Sequence, residues 1–522
     1  MRPRLTAFWA TVFLLAAFFT TAQAPPADAA LAGAGVRTDR NPPSPLGPRL
    51  EDPPEIVSHH GILRASITVE RKRVQVGDQM LYALTYNGRY MPPTLRARPG
   101  DVIELRMTNR VDQDTNIHLH GLHVSPRPPA DDIFIAIPYG QTRDYRYELP
   151  KSILPGTYWY HSHAHFYSAA QVAGGQSGVL IIDDLRQYLP DDLKDITEHT
   201  IGLKDDQVDG DSIKTSPLSI GAATNRTVNG QQNPVIHMRP GETQLWRLAN
   251  IGANIYYKLH LPGSTFHVIG QDGHPVSRVY SASSLVIAAG ARFDVLVQAG
   301  QQPGVARLET LPYDTGPAGN QFPQADLATV LTEGEPMKPA RLPSRFGPEM
   351  DLSHAEVAAR KTVTYTENAD GTEFYINGNT YDPDRIDFTS RLNTVEEWTV
   401  QNNTDEQHSF HVHTNQFQLM SVNGAPVSAS RGWYDTVTVP VRGTVVIRTK
   451  FLDFTGRTVL HCHILNHENM GMMAVLDIVR DGVPSQAPSG LGPAGPKTPG
   501  HAPSGHQPSG HGHAGHGMQH DG

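Results

Sequence analysis

Residues 98–109 read Arg98-Pro99-Gly100-Asp101-Val102-Ile103-Glu104-Leu105-Arg106-Met107-Thr108-Asn109, and their reading decides the fold. Pro99-Gly100 signals a β-turn. Beyond it Ile103, Leu105 and Met107 face one way while Glu104 and Arg106 face the other, the period of a strand with one apolar side. The pattern returns as Arg239-Pro240-Gly241-Glu242, followed by Trp246-Arg247 and ending at Asn250. A looser third copy runs from Glu396-Glu397-Trp398 to Asn402. Each copy is preceded by an Asn-Gly pair, in Tyr86-Asn87-Gly88, Val228-Asn229-Gly230 and Ile376-Asn377-Gly378. Phe293, Val295 and Val297 repeat the alternation later in the second copy. The reading is an all-β chain of three consecutive antiparallel β-sandwich domains, at residues 56–190, 191–335 and 361–482. The Pro-rich stretch 333–348 leads into a linker placed at 336–360.

Composition agrees with that organisation. At about 150 residues per domain, 522 residues suit three or four domains. Gly 47 and Pro 42 exceed average usage, as a turn-rich β protein requires. With 38% apolar and 7% aromatic residues, several cores can be filled. The net charge of −9, with no dense basic run, argues against nucleic acid or an anionic membrane as partner. One cysteine, Cys462, excludes an intramolecular disulfide, whereas histidines number 26.

Both ends differ from the middle. Arg2 and Arg4 precede an apolar run from Ala7 to Phe19, so residues 1–30 are predicted to be a secretory signal peptide. Cleavage after Ala29 is favoured, because cutting after Ala24 would leave Pro25 at the new terminus. The two arginines are not adjacent, so a twin-arginine signal is not evident. The run falls short of the ~20 residues that span a bilayer, and no later segment spans one either. An exported, disulfide-free protein of this size points to a bacterial periplasmic or secreted setting. Residues 31–55 read as a Pro/Ala-rich linker. Residues 483–522 form a tail of Pro, Gly, Ser and His, including His501, His506, His511, His513, His516 and His520. Such a segment has too little apolar surface to fold, and it either collects metal or merely solubilises the chain.

Four segments hold ten histidines and the cysteine: His118-Leu119-His120-Gly121, His161-Ser162-His163, His408-Ser409-Phe410-His411-Val412-His413, and His461-Cys462-His463 running on to His467. Residues two apart on a strand project together and neighbours project apart. His118 with His120, His161 with His163, His411 with His413 and His461 with His463 are therefore four same-face pairs. His408, three residues before His411, falls on the other face, as does Cys462. Two His, one thiolate and a weak axial Met make a blue-copper site, here His408, Cys462, His467 and Met472. Eight imidazoles without a thiolate suit a cluster of several coppers. Cys462 would join the two through the chain itself. Zinc fits less well, since structural zinc sites collect several cysteines or isolated four-ligand sets.

These segments resemble the four copper motifs of the multicopper oxidases, a family that includes laccases, bilirubin oxidases and bacterial cuprous oxidases. The resemblance spans about residues 56–480 and takes in Tyr158-Trp159-Tyr160 and the repeated Asn-Gly and Pro-Gly turns. It implies three cupredoxin-like Greek-key domains, with a trinuclear cluster between the first and third. It implies four copper ions: type 1 at His408, Cys462, His467 and Met472, type 2 at His118 and His411, and a type 3 pair at His120, His161, His163, His413, His461 and His463. The implied reaction couples four one-electron oxidations of a reducing substrate to reduction of O2 to two waters.

That reduction consumes protons. Glu468 resembles an acid that bacterial members place after the last histidine for proton delivery, and Asp131 or Asp132 sits where an acid often lies near the type 2 copper. Asp205, in Leu203-Lys204-Asp205-Asp206, loosely resembles a phenol-holding acid of fungal laccases, although the usual following Trp is Asp206 here. His123, His165 and His237 read as structural histidines. Three functions compete. The first is a laccase-like oxidase of phenols or related aromatics. The second is a cuprous oxidase serving copper tolerance, which predicts Met-rich loops that 12 methionines do not form, although the His-rich tail would suit it. The third is a non-catalytic copper-binding envelope protein, which the intact ligand set opposes. The His-Cys-His arrangement with four full pairs excludes a copper nitrite reductase.

Overall fold

The computed structural model describes residues 46–215 and 223–480. The predicted signal peptide, residues 31–45 and the His-rich tail lie outside the described residues. The regular secondary structure of the described residues is almost entirely strand, with two short α-helices, Ser168–Gly174 and Leu465–Asn469. Apart from a two-stranded ribbon, Tyr313–Asp314 with Gln321–Phe322, the strands form three pairs of sheets, each a six-stranded sheet against a five-stranded one. These are three cupredoxin-like β-sandwich domains. Among the described residues no helix is long and apolar enough to cross a membrane.

The repeat explains the architecture. Ile103, Leu105 and Met107 are buried inside the first sandwich, while Arg106 is exposed. All three Asn-Gly pairs take positive φ at both residues: 54° and 68° at Asn87-Gly88, 53° and 75° at Asn229-Gly230, 52° and 77° at Asn377-Gly378. Glycine tolerates that region and asparagine visits it more readily than most residues. Each turn asparagine also ties down the strand beside it. Asn87, Asn229 and Asn377 accept from the backbone N–H of Thr68, Gly202 and Thr364, and donate to the carbonyls of Ser66, Thr200 and Thr362. The strand-ending Asn109, Asn250 and Asn402 each donate to two loop carbonyls.

In one respect the sheets correct the sequence reading: they are mixed rather than antiparallel. Ile62–Val69 pairs in parallel with Val102–Asn109, Glu198–Leu203 with Leu245–Asn250, and Ala359–Tyr365 with Glu396–Asn402. Between the two strands of the first pair the chain makes a hairpin, crosses to the facing sheet at Thr94–Ala97 and returns. The second crossing restores the original direction, which is the Greek-key path. A short hairpin, Val208–Asp209 with Ser212–Ile213, leaves the second domain to extend the first domain's six-stranded sheet beside Tyr82.

The domains meet through apolar surface. Met91, Trp159, Val179 and Ile181 pack with Ala249 and Ile251, and a single large apolar cluster runs through the second and third sandwiches. Consequently every residue of Thr243–Asn250 is buried, whereas the equivalent strand of the first domain keeps one open face.

Candidate metal centre

Strand pairing brings the histidine motifs together. His118–His120 lies antiparallel to Gly156–His161 with His118 opposite His161. His408–Val412 lies antiparallel to Gly456–Cys462 with His411 opposite His461 and Phe410 opposite Cys462. Residues directly opposite in an antiparallel pair carry Cβ atoms about 5 Å apart. His163, His413 and His463 fall just beyond the ends of their strands, so only His118 with His120 forms a pair wholly inside one. The same-face relation nonetheless survives, because the chain stays tethered: His163 N donates to Asn116 Oδ1, His413 N to the Val459 carbonyl and His463 N to the Ser409 carbonyl.

Two donor sets result. In the first, Cys462 Sγ lies 3.6 Å from His408 Nδ1 and 3.9 Å from His467 Nδ1, and the two Nδ1 atoms are 3.3 Å apart. Cys462 N donates to the Met472 carbonyl and Met472 N to the His467 carbonyl, so Met472 is buried beside the set. His408 Nε2 donates to Thr404 Oγ1 at 2.8 Å, and Phe374 stacks on the His467 ring at 4.1 Å. The second set holds the other eight imidazoles. His461 Nε2 lies 3.2 Å from Nε2 of both His163 and His413, and His463 Nε2 lies 3.1 Å from His120 Nδ1. His118 joins His411 and His413 in one group with ligand atoms within 4.8 Å of one another, and His120 and His161 in another.

The chemistry of both sets suits a soft, redox-active cation. Burial pushes His118, His120, His161, His408, His413, His461 and His463 well below the ordinary imidazole range, His163 to about 4 and His467 to about 3. Such rings are neutral and carry a lone pair for a metal. Burial pushes the Cys462 thiol up to about 12, so a thiolate there needs a cation beside it. Nε2 of His118, His161 and His411 is buried with no hydrogen-bond partner, while each ring's Nδ1 is engaged outward by Asp131, the Ser162 carbonyl and the Asp435 carbonyl. Buried polar atoms left this way inside a neutral cage are the donors a metal would use. The residues fit copper.

The candidate acids separate clearly. Asp131 is buried, takes a hydrogen bond from His118 Nδ1 at 2.8 Å and another from Leu119 N at 3.1 Å, and is pushed up to about 8 by burial. Asp132 points elsewhere and accepts from Phe134 N. Glu468 is fully buried, accepts from Ser168 Oγ at 2.7 Å and lies 3.1 Å from His461 Nδ1 through Oε2. That second contact is out of line, because His461 Nδ1 donates to the Cys462 carbonyl at the same distance. Burial pushes Glu468 up to about 8 against the Ser168 hydrogen bond. Asp205 is only 2% exposed, paired in register with Arg226 in the sheet, and is no surface acid. His123 donates to the Thr414 carbonyl, His165 packs between Phe166 and Tyr381, and His237 pairs with Glu333; none joins either set.

Three site residues carried no signal in the sequence. Glu406 places Oε1 3.5 Å from His467 Nε2, the nitrogen of that ring facing away from Cys462. Asp435 lies between His120 and His411, and Arg292 of the second domain grips Asp435 with both Nη atoms. Asp435 is buried just before the strand Thr436–Val439, a placement that only the fold reveals.

Family models for multicopper oxidases match residues 68–187, 192–306 and 354–481. The chain belongs to the multicopper oxidase family and is a copper-dependent oxidoreductase. It is 30% identical over 368 residues to the cell division protein FtsP of Salmonella typhimurium, covering 68% of this chain and 76% of that protein. It is 25% identical over 469 residues to a laccase of Bacillus stratosphericus, covering 76% and 90%. Among solved structures, a Campylobacter jejuni multicopper oxidase described as a metallo-oxidase superposes with a TM-score of 0.71 at 27% identity, over 84% of this chain and 96% of that one.

Proposed function

We propose that the protein is a laccase-like oxidase that takes electrons singly from a phenolic or related aromatic donor and passes them to O2. The observation that carries this reading is the connection of the two donor sets by three consecutive residues, His461-Cys462-His463, with Cys462 in one set and its neighbours in the other. Copper bound at these sets, one ion at the first and three at the second, would supply the one-electron chemistry and the four-electron reduction of O2 to two waters.

The chain's own residues would do the rest. His467 presents Nε2 toward Glu406, so this edge of the ring is where a donor's electron would enter, beside a carboxyl group. Cys462 provides a short covalent route between the sets. Asp131 holds the proton on His118 Nδ1, keeping Nε2 free for metal. Ser168 Oγ and Glu468 line up a proton donor beside His163 and His461, where water forms and protons are needed. The resemblance of residues 1–30 to a secretory signal peptide supports a setting outside the cytoplasm.

A second reading, oxidation of a metal ion such as Cu(I), is favoured by the carboxylate of Glu406 beside His467, with Glu367 close enough to it to push Glu406 further up than burial alone. It also suits a neighbour described as a metallo-oxidase. O2 uptake by copper-loaded protein separates the readings, with a methoxylated phenol and Cu(I) compared under matched conditions. Fast uptake with the phenol, and none faster with Cu(I), is expected. Preference for Cu(I) moves the assignment to a copper-tolerance oxidase. No uptake with either, at full copper content, leaves a non-catalytic envelope protein.

A further inference from the structure

Seven of the eight clustered imidazoles turn Nε2 toward their neighbours in the set; His120 alone turns Nδ1. The reason lies behind it. His120 Nε2 donates to Asp435 Oδ1 at 3.0 Å, with Thr436 Oγ1 at 3.3 Å. The backbone carbonyl of the same Asp435 accepts from His411 Nδ1 at 2.8 Å. The His120 and His411 rings stack at 3.9 Å, 14° from parallel. One residue thus sets the proton on both rings and leaves His120 Nδ1 and His411 Nε2 as the metal-facing lone pairs.

Asp435 is itself held. Arg292 Nη1 and Nη2 donate to Oδ1 and Oδ2 at 2.8 and 2.6 Å, a bidentate pair in which both partners are buried. Arg292 is fixed in turn by the carbonyls of Gly290 and Thr157 and by Asp272, which accepts from Arg292 N and, less closely, from the backbone N–H of Asp435 and Thr436. Arg292 and Asp272 belong to the second domain, which supplies no histidine to either set. The pair also accounts for Gly121. A Cβ there would lie 2.3 Å from Asp435 Oδ2 and 2.5 Å from Arg292 Nη2, at a φ of 83°.

We propose that Arg292 is a positioning residue for the eight-histidine set: through the Asp435 carboxylate it dictates which nitrogen of His120 faces the metal, and it pins the residue whose backbone carbonyl holds His411. The proposal rests on that set holding copper. A carboxylate gripped on both oxygens offers His120 only acceptors. Without Arg292, Asp435 is an unpaired buried charge that must turn away or be neutralised, and the proton on His120 Nε2 loses its partner. Loss of such an outer partner weakens metal binding by roughly 10–100-fold.

The test compares full-length, copper-loaded wild type with Arg292→Met, which keeps bulk without charge, and Arg292→Lys, which keeps charge without the fork. Copper per chain, the type 2 EPR signal and the blue absorption are read together. The blue absorption is expected to survive in every variant, because His408, Cys462 and His467 are untouched. Arg292→Met is expected to lose copper from the eight-histidine set or to show a shifted type 2 signal, with Arg292→Lys restoring part of both. Wild-type copper content and an unshifted signal in Arg292→Met overturn the proposal. Should Arg292→Met not fold, Asp435→Asn decides: its amide can donate toward His120 Nε2 and displace the proton to Nδ1, so wild-type copper content in the eight-histidine set there overturns it equally. If wild type itself holds copper only at the blue site, the copper reading of the eight histidines fails first.

Discussion

Cys462 Sγ lies 3.6 Å from His408 Nδ1, on the side of its strand away from His461 and His463. A single strand thereby serves both donor sets. Because the sulfur is the one soft anionic donor the site can supply, Cys462→Ser is expected to remove the blue absorption and lower donor oxidation more than about a hundredfold, beyond the effect of losing an outer partner. Absorption and O2 uptake check it; a variant that stays blue would refute the assignment.

Glu468 is expected to limit proton supply. Glu468→Gln keeps shape and burial but has no proton to pass, so O2 uptake should fall by roughly 10²–10⁴-fold. Copper content should not change, and the blue absorption should bleach under donor and recover slowly in O2. Stopped-flow recovery of the blue colour measures it. Recovery at the wild-type rate would leave Glu468 a structural acid.

Asp131 should matter for metal retention more than for electron entry. Replacing it with Ala frees His118 Nδ1 and removes the acceptor that fixes the ring. Copper affinity at the eight-histidine set should drop about 10–100-fold, with the blue site unaffected. Competition against a copper chelator, followed by EPR, shows whether the loss is confined to that set.

Stability has its own half-buried ion-pair network away from both donor sets. Glu198 pairs with Arg247, Arg96 and Arg186 between the first two domains. Burial alone would raise its pKa, but the Arg247 and Arg96 guanidiniums outweigh that and hold it well below the carboxylate range. A depressed folded value means the stabilisation is present above the unfolded value of about 4 and is lost as pH falls below it. Glu198→Gln should therefore destabilise the protein by about 3 kcal/mol at neutral pH, and less in acid. Calorimetry at two pH values tests both the size and the sign.

Features set by local stereochemistry were legible in the chain. Asn87-Gly88 and its two copies need positive φ at successive residues, and few residue pairs accept that. Alternation at Ile103, Leu105 and Met107 marked the core face, and the His-x-His spacing survived even where His163, His413 and His463 left their strands. Parallel pairing of Ile62–Val69 with Val102–Asn109 was not legible, since it depends on the chain crossing to a facing sheet and back. Nor was the choice of Asp131 over Asp132, which a one-residue change in direction decides.

By itself the sequence determined the three-fold β architecture and the identities and facing of the ten histidines and Cys462, because turn stereochemistry and strand period act between near neighbours. Tertiary structure alone decided which imidazole nitrogen each proton occupies and what holds it there. Arg292 and Asp435 stand 143 residues apart in different domains. Nothing in the residues around either announces the other. Only the packing of the second domain against the first and third brings a guanidinium to the one carboxylate that orients His120.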